Sequence, residues 1–322
     1  MIDTMTASAP GKLILTGEYA VLDGAPALVI AVDRRAIARV RAGAPRGSSA
    51  FLLAVASELA ARRGAADPAA AAALEIAVDS SAFYDGLTKL GLGSSAAVTV
   101  VATALAIGAT GDGRIDKNEV LTIASAAHAS AQEERGARGS GADIAAAVHG
   151  GTIVFTAGRI DRRTWPRTVR VLPFFTGTSA DTPTLIARVT AARTERRSEV
   201  DAALVAVGDA SRAACAALTA PADLAATAMI GAIALAAAAL DRLAAATQLD
   251  LVPDCVRAAR SAMSRFGGTA KTTGAGGGDV GFAVIPATAD VTSATRSLIE
   301  AGCRPLPLSV DETGVDLRAH AS

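Results

Sequence analysis

The stretch Gly91-Leu92-Gly93-Ser94-Ser95-Ala96-Ala97, running unbroken into Val98-Thr99-Val100-Val101-Ala102-Thr103-Ala104-Leu105, constrains this chain most. Small residues let a backbone turn tightly and come close to a ligand. Two hydroxyls follow where helix N-caps sit, and the apolar run behind them reads as a buried helix. The first N–H groups of a helix have no partner inside it, and the helix dipole adds to their attraction for anions. The stretch therefore reads as a phosphate-holding turn. Three readings of it compete. It is a helix cap without a ligand, a dinucleotide loop, or a triphosphate loop. Gly91, Gly93 and Ala96 fit G-x-G-x-x-A, with Asp112 about twenty residues on, as the second reading asks. The third lacks the lysine of G-x-x-x-x-G-K-[ST], so phosphate charge would fall to backbone N–H groups, Mg²⁺ and a lysine from elsewhere.

Two more turns of this kind flank the first. Gly139-Ser140-Gly141-Ala142-Asp143 feeds a second small-residue helix, and Lys271-Thr272-Thr273-Gly274-Ala275-Gly276-Gly277-Gly278-Asp279 runs into an apolar strand at 280–285. Around them the apolar pattern predicts strands at 13–15, 26–32, 36–40, 74–79, 152–156, 169–176 and 304–310. It predicts helices at 50–63, from Ser95 to near Gly108, at 119–134 behind Asp116 or Asn118, and at 290–301. Residues 67–73 read as an alanine loop at a helix end, and 184–265 as three or four helices broken near Pro221 and Pro253. The charged run 159–170, with Trp165 and Pro166, marks a domain boundary.

Lys and Arg together number 31, as do Asp and Glu, so no charge excess points to nucleic acid or an acidic membrane. Cys215, Cys255 and Cys303 have no metal-ligand spacing and fit a reduced, cytoplasmic setting. His128 and His149 read as surface or packing residues, and no basic-then-apolar leader opens the chain. The most membrane-like run, 224–240, is mostly alanine between Asp223 and Asp241 and reads as a buried helix.

Together, Lys12 after Ala9-Pro10-Gly11, the Gly91 turn and the Lys271–Asp279 turn resemble, in order, the three motifs of the GHMP kinases, over nearly the whole chain. The resemblance implies an α+β fold of two domains with the active site in the cleft between them. The N-terminal domain, residues 1–168, would be of ribosomal-protein-S5-like β-α-β type; the C-terminal domain, 169–322, would be ferredoxin-like α/β. It implies a phosphotransferase using ATP and Mg²⁺ on a small phosphorylated or hydroxylated acid. Such an enzyme would act as a monomer or homodimer, without nucleic acid or membrane. Gly17-Glu18-Tyr19, Lys89-Leu90 and Phe175-Thr176-Gly177-Thr178-Ser179-Ala180 are similar to the phosphomevalonate branch of the family. A mevalonate kinase or another small-alcohol kinase is the alternative within it, and a dinucleotide-dependent oxidoreductase the alternative from a different class.

By the same resemblance, Asp143 orients or deprotonates the acceptor oxygen, and Lys12 lowers the pKa of Asp143 and draws charge off the transferring group. Lys89, Gly91, Leu92, Gly93, Ser94, Ser95, Ala96 and Ala97 would hold ATP. Lys12, Glu18, Tyr19, Arg138, Ser140, Gly141, Lys271, Gly274, Ala275, Gly276 and Asp279 would meet the acceptor. Ser94, Ser95 and Glu133 would hold Mg²⁺; the family's metal-binding glutamate falls on Gln132 here, with Glu133 adjacent.

Overall fold

The computed structural model describes residues 5–40, 49–134 and 139–319. In chain order the first half holds β1 (Met5–Thr16), β2 (Ala27–Val40), α1 (Ala50–Arg63), α2 (Pro68–Ala73), β3 (Ile76–Asp79), β4 (Tyr84–Asp85), β5 (Thr88–Lys89), α3 (Ser94–Thr110), α4 (Lys117–Glu133), α5 (Ala142–His149), β6 (Thr152–Thr156) and β7 (Arg159–Arg163). The second half holds β8 (Val169–Phe175), α6 (Thr182–Glu195), α7 (Arg197–Ala217), α8 (Ala225–Thr247), α9 (Asp254–Ser264), β9 (Thr269–Thr272), β10 (Val280–Pro286), α10 (Val291–Glu300), β11 (Arg304–Pro305) and β12 (Asp316–Ala319). The fold is α+β, as expected, with two main sheets and a two-stranded ribbon of β4 and β5; α8 packs on the second main sheet and, with α7, reaches β1 of the first.

The first sheet runs β12-β1-β2-β6-β7, with β3 beside the far end of β2, and its pairs are antiparallel. The strands predicted at 26–32 and 36–40 are one strand. Pro10 pairs with Arg35 and Gly11 with Val32, so residues 33 and 34 bulge out and carry the polar Asp33-Arg34 past the sheet without ending it. Pro10 sits at that irregularity, where its missing N–H costs no ladder bond. α3 is buried on nearly every face, from Ala96 and Ala97 through Val100, Val101 and Ala104 to Ile107, which explains its all-apolar sequence. Residues 67–73 are not a loop: the Asp67 side chain accepts from Ala69 N–H and caps α2, with Pro68 in its first turn.

The second sheet runs β11-β8-β10-β9 and is also antiparallel. Four helices fill the stretch predicted as three or four. β9 emerges from a segment read only as a glycine turn. Its four residues are all buried, Lys271 among them, which masks the apolar pattern of a strand. α8 is long and apolar enough to cross a membrane, but Met229, Ile233, Leu240 and Leu243 are buried and it packs against α7 and β9.

The expected strand at 304–310 shrinks to two residues before Pro307, and the chain then returns to the first sheet. Val310 bridges Val32, and Met5 to Ser8 pair with Ala319 to Asp316. Residues 316–319 thus cover the otherwise open edge of β1, and Leu317 packs onto Gly108 of α3. A boundary placing all of 169–322 in the second domain is too simple by this one strand. Among the described residues no sheet has parallel pairing, and Asp112 turns its carboxylate to Arg114 N–H in an exposed turn. The dinucleotide reading of the Gly91 turn therefore lacks the βαβ unit and the acid it needs.

Candidate active site

A cleft of about 770 Å³ opens between the sheets, the size of a small-molecule site. The first domain contributes Lys12, Glu18 and Tyr19, the turn before α3, and the start of α5. The second contributes 179–183, Ile186, Thr273 to Gly276 and Asp279.

Gly93 is the N-cap of α3 and, like Gly91, has left-handed backbone (φ +79° and +72°). Space also demands both glycines. A Cβ on Gly91 would lie 2.4 Å from Asp279 Oδ2, and one on Gly93 would meet the Lys12 side chain at 3.0 Å. No side chain caps α3, so its leading N–H groups face the cleft free of internal partners. Ser94 and Ser95 border the cleft beside them. α5 repeats the arrangement behind Gly141: Ser140 Oγ accepts from Ala142 N–H at 3.3 Å, and Asp143 Oδ1 from Ile144 N–H at 3.0 Å.

Lys12 joins these pieces. Its backbone N–H donates to Leu92 O at 2.9 Å and its Nζ to Gly91 O at 3.3 Å. Burial pushes its pKa below the ordinary lysine value and Lys89 adds to this, while Asp143 and Asp279 pull it back up. Burial raises the pKa of Asp279; a bond from Ala180 N–H at 3.1 Å, Lys12 and Lys89 oppose that rise. Asp279 also ties the second domain's wall together, donating its N–H to Thr178 O and accepting from Thr176 N–H.

Not every residue expected here faces the cleft. Leu92, Ala96 and Ala97 are buried packing residues, and Gly141 shapes the cap without bordering the space. Lys271 is fully buried: its ammonium donates to Glu18 Oε1, to Leu15 O at 3.0 Å and to Thr272 O at 2.8 Å. Those bonds use all three of its protons, so Lys271 is an interdomain strut and has none left for an acceptor. Glu18 borders the cleft with its carboxylate committed to Lys271. Tyr19 reaches across to donate to Ala275 O at 2.6 Å, and burial raises its phenol pKa. Lys89, Ser140, Gly274, Ala275, Gly276 and Asp279 do border the cleft; Arg138 lies outside the described residues.

Glu133, expected on the metal, is exposed at the end of α4 and does not border the cleft, whereas Gln132 does. One residue along a helix turns a side chain by about 100°, enough to move it off the cleft face. Among the described residues no three His, Cys, Asp or Glu side chains cluster as metal ligands. What the cleft offers is oxygen: the Ser94 and Ser95 hydroxyls, the Asp143 carboxylate and the Gln132 amide. That set fits Mg²⁺, which takes few protein ligands and completes its shell with water and phosphate.

Sequence reasoning missed the wall at 179–183, Ser49, Phe51, Ser80 and Tyr84, while His128, read as a surface or packing residue, is buried on α4 behind the cleft. The His128 ring lies 3.2 Å from Ser95 Oγ and stacks on Phe51. Its signal was its place on the apolar stripe of α4, among Val120, Ala124, Ala127 and Ala131.

Two glycine-capped helix starts and a lysine influenced by two carboxylates thus meet in one cleft. Residues 50–151 match the GHMP kinases N terminal domain. A phosphomevalonate kinase of Streptomyces sp. (strain CL190) is 31% identical over an alignment 382 positions long, gaps included, that covers 97% of this chain and 98% of the relative. The Lin0012 protein of Listeria innocua superposes with a TM-score of 0.81 at 20% identity, covering 98% of this chain and 99% of that one. The Streptococcus pneumoniae phosphomevalonate kinase, solved with phosphomevalonate and AMPPNP, gives 0.74 at 19% identity, covering 95% and 99%. This chain belongs to the GHMP kinases, a family of phosphotransferases.

Proposed function

We propose that this protein transfers the γ-phosphoryl group of ATP to (R)-5-phosphomevalonate, giving 5-diphosphomevalonate for isoprenoid precursor synthesis in the cytoplasm. The observation that carries the reading is the position of Lys12, bonded to the phosphate turn on one side and facing Asp143 and Asp279 on the other. The full-length relative named as a phosphomevalonate kinase supports the choice of acceptor.

Phosphoryl transfer asks a protein mainly to position reactants and neutralise charge. The free N–H groups of α3, with Ser94, hold the nucleotide phosphates. Mg²⁺, when bound among Ser94, Ser95, Gln132 and Asp143, supplies charge neutralisation on the phosphates. Lys12 draws charge from the group in transfer. A phosphate monoester has a second pKa near ~6, so at neutral pH the acceptor oxygen needs little help from a base. Asp143 then serves chiefly to orient it, and Lys12 with Lys89 holds two anions at close quarters. Arg138, Ser140 and Asp279 are the proposed acceptor contacts; Tyr19 shapes that end through its bond to Ala275.

An ADP-release assay with mevalonate, 5-phosphomevalonate, homoserine and galactose tests the reading. Turnover is expected with 5-phosphomevalonate, and turnover confined to any other acceptor would overturn it. Ser94→Ala removes a buried hydroxyl at the α3 start. It is expected to raise the KM for MgATP about fivefold to tenfold, the worth of one hydrogen bond, with the acceptor KM unchanged. Equal changes in both constants would remove Ser94 from nucleotide binding.

A further inference from the structure

His128 is 2% exposed, yet it touches two residues that border the cleft. Its Nε2 is 3.2 Å from Ser95 Oγ, and its ring stacks on Phe51 with centroids 5.3 Å apart and planes inclined by 21°. Gln132, one turn further along α4, borders the cleft on the same helix face. This face of α4 thus backs the start of α3. A serine in the first turn of a helix can swing its hydroxyl among staggered rotamers, some aimed at its own backbone. The imidazole selects one of them. Whichever tautomer the ring adopts, the hydroxyl keeps one capacity for a ligand: its lone pairs when it donates to His128, its proton when it accepts.

We propose that His128 is a positioning residue for the nucleotide, fixing the Ser95 hydroxyl toward the phosphate end of the cleft and Phe51 along its wall. The inference rests on the kinase reading above and adds a residue that touches neither reactant. With the rotamer chosen in advance, binding does not have to order it. The ring nitrogen and the ring face do separate work, so substitutions can take them apart.

Titration of the full-length protein with a fluorescent ATP analogue and Mg²⁺ tests this without reference to the acceptor. His128→Phe keeps the ring and the stacking on Phe51 but removes the nitrogen. It is expected to weaken nucleotide binding about fivefold, the worth of one lost hydrogen bond, with the acceptor KM unchanged. His128→Gln, which returns an amide at similar reach, should recover most of that loss. The decisive measurement is the cycle with Ser95→Ala. If His128 acts through Ser95, the double variant loses no more than Ser95→Ala alone. Additive losses, or a His128→Phe protein that binds as tightly as wild type, would overturn the proposal. Should His128→Phe not fold, the same cycle run with His128→Leu decides it: a loss that persists undiminished on the Ser95→Ala background counts against the proposal, and a loss that disappears there supports it. Failure of the unaltered protein to bind the nucleotide would instead strike the kinase reading itself.

Discussion

Lys12→Met should cut kcat about a thousandfold and leave the melting temperature at or above that of the unaltered protein, because the lysine's role is charge and its packing survives the change. Removing one preorganised charge-stabilising group from a phosphoryl-transfer site costs about 10³-fold or more. Methionine keeps Cγ and an apolar chain of the same reach as far as Cε against Gly93, and the backbone bond to Leu92 O is untouched. Lys12 is half-buried at the cleft wall, where an ion pair adds little net stability, so its loss does not weaken the fold. A pH profile sharpens the test. Lys12 is the active cation below its pKa and neutral above it, and burial places that pKa below the ordinary 10.5. The kcat/KM for MgATP should therefore fall on the alkaline side before pH 10.5, and Lys12→Arg should abolish that limb, since guanidinium stays charged above pH ~12. Asp143→Asn should depress kcat as well, with its carboxylate lost from beside Lys12. Near-normal turnover in Lys12→Met would remove the lysine from the reaction.

Much of this site was legible in the sequence because glycines and hydroxyls at helix starts leave a local signature. The Gly91 turn, Gly139 to Asp143 and the run ending at Asp279 each announce a backbone geometry within a few residues, and the fold brings all three to one cleft. Helices with internal periodicity, such as α1 and α4, likewise fall where the pattern put them. What escaped depends on contacts between distant segments. The bulge at 33 and 34 that fuses two expected strands is set by pairing with Pro10, and β12 is a strand only because β1 has an edge to cover. Lys271 was expected to meet the acceptor because it opens the third of the motifs that resemble the family's. Only the fold reveals that Glu18, 253 positions away, waits for it. Glu133 and Gln132 differ by one step around a helix, a distinction that sequence alone does not resolve without knowing which face meets α3. The contact of His128 with Ser95 was not legible because a histidine in an apolar stripe reads as packing.

Lys271→Met should be the most destabilising single change in the cleft region, and Glu18→Gln on the same background should recover most of the loss. The pair is fully buried, with side-chain exposure of 0% and 1%, and it joins the end of β1 to β9 across the two domains. Taking two charges out of water costs about as much as their attraction returns, so the intact pair adds little net stability. Removing one partner is different: it strands the other charge in the interior at about 3–5 kcal/mol. A melting temperature lower by roughly 10 °C is expected for Lys271→Met. The pH dependence identifies the cause. Burial already raises the Glu18 pKa above 4.5, and Lys271 is what holds it down. Without Lys271 that pKa climbs further, so the folded protein holds a proton that the unfolded chain has released. Stability is then greatest below the unfolded value and is lost as pH rises through the folded one. Acidifying Lys271→Met toward pH 4.5 should raise its melting temperature, and the Glu18→Gln/Lys271→Met protein should lack that response. Because the ammonium spends its protons inside the protein, Lys271→Met assayed well below its melting point should keep a kcat within roughly threefold of the original and an unchanged acceptor KM. A single variant as stable as the unaltered protein would deny the strut, and a raised acceptor KM in a stably folded variant would return Lys271 to the substrate.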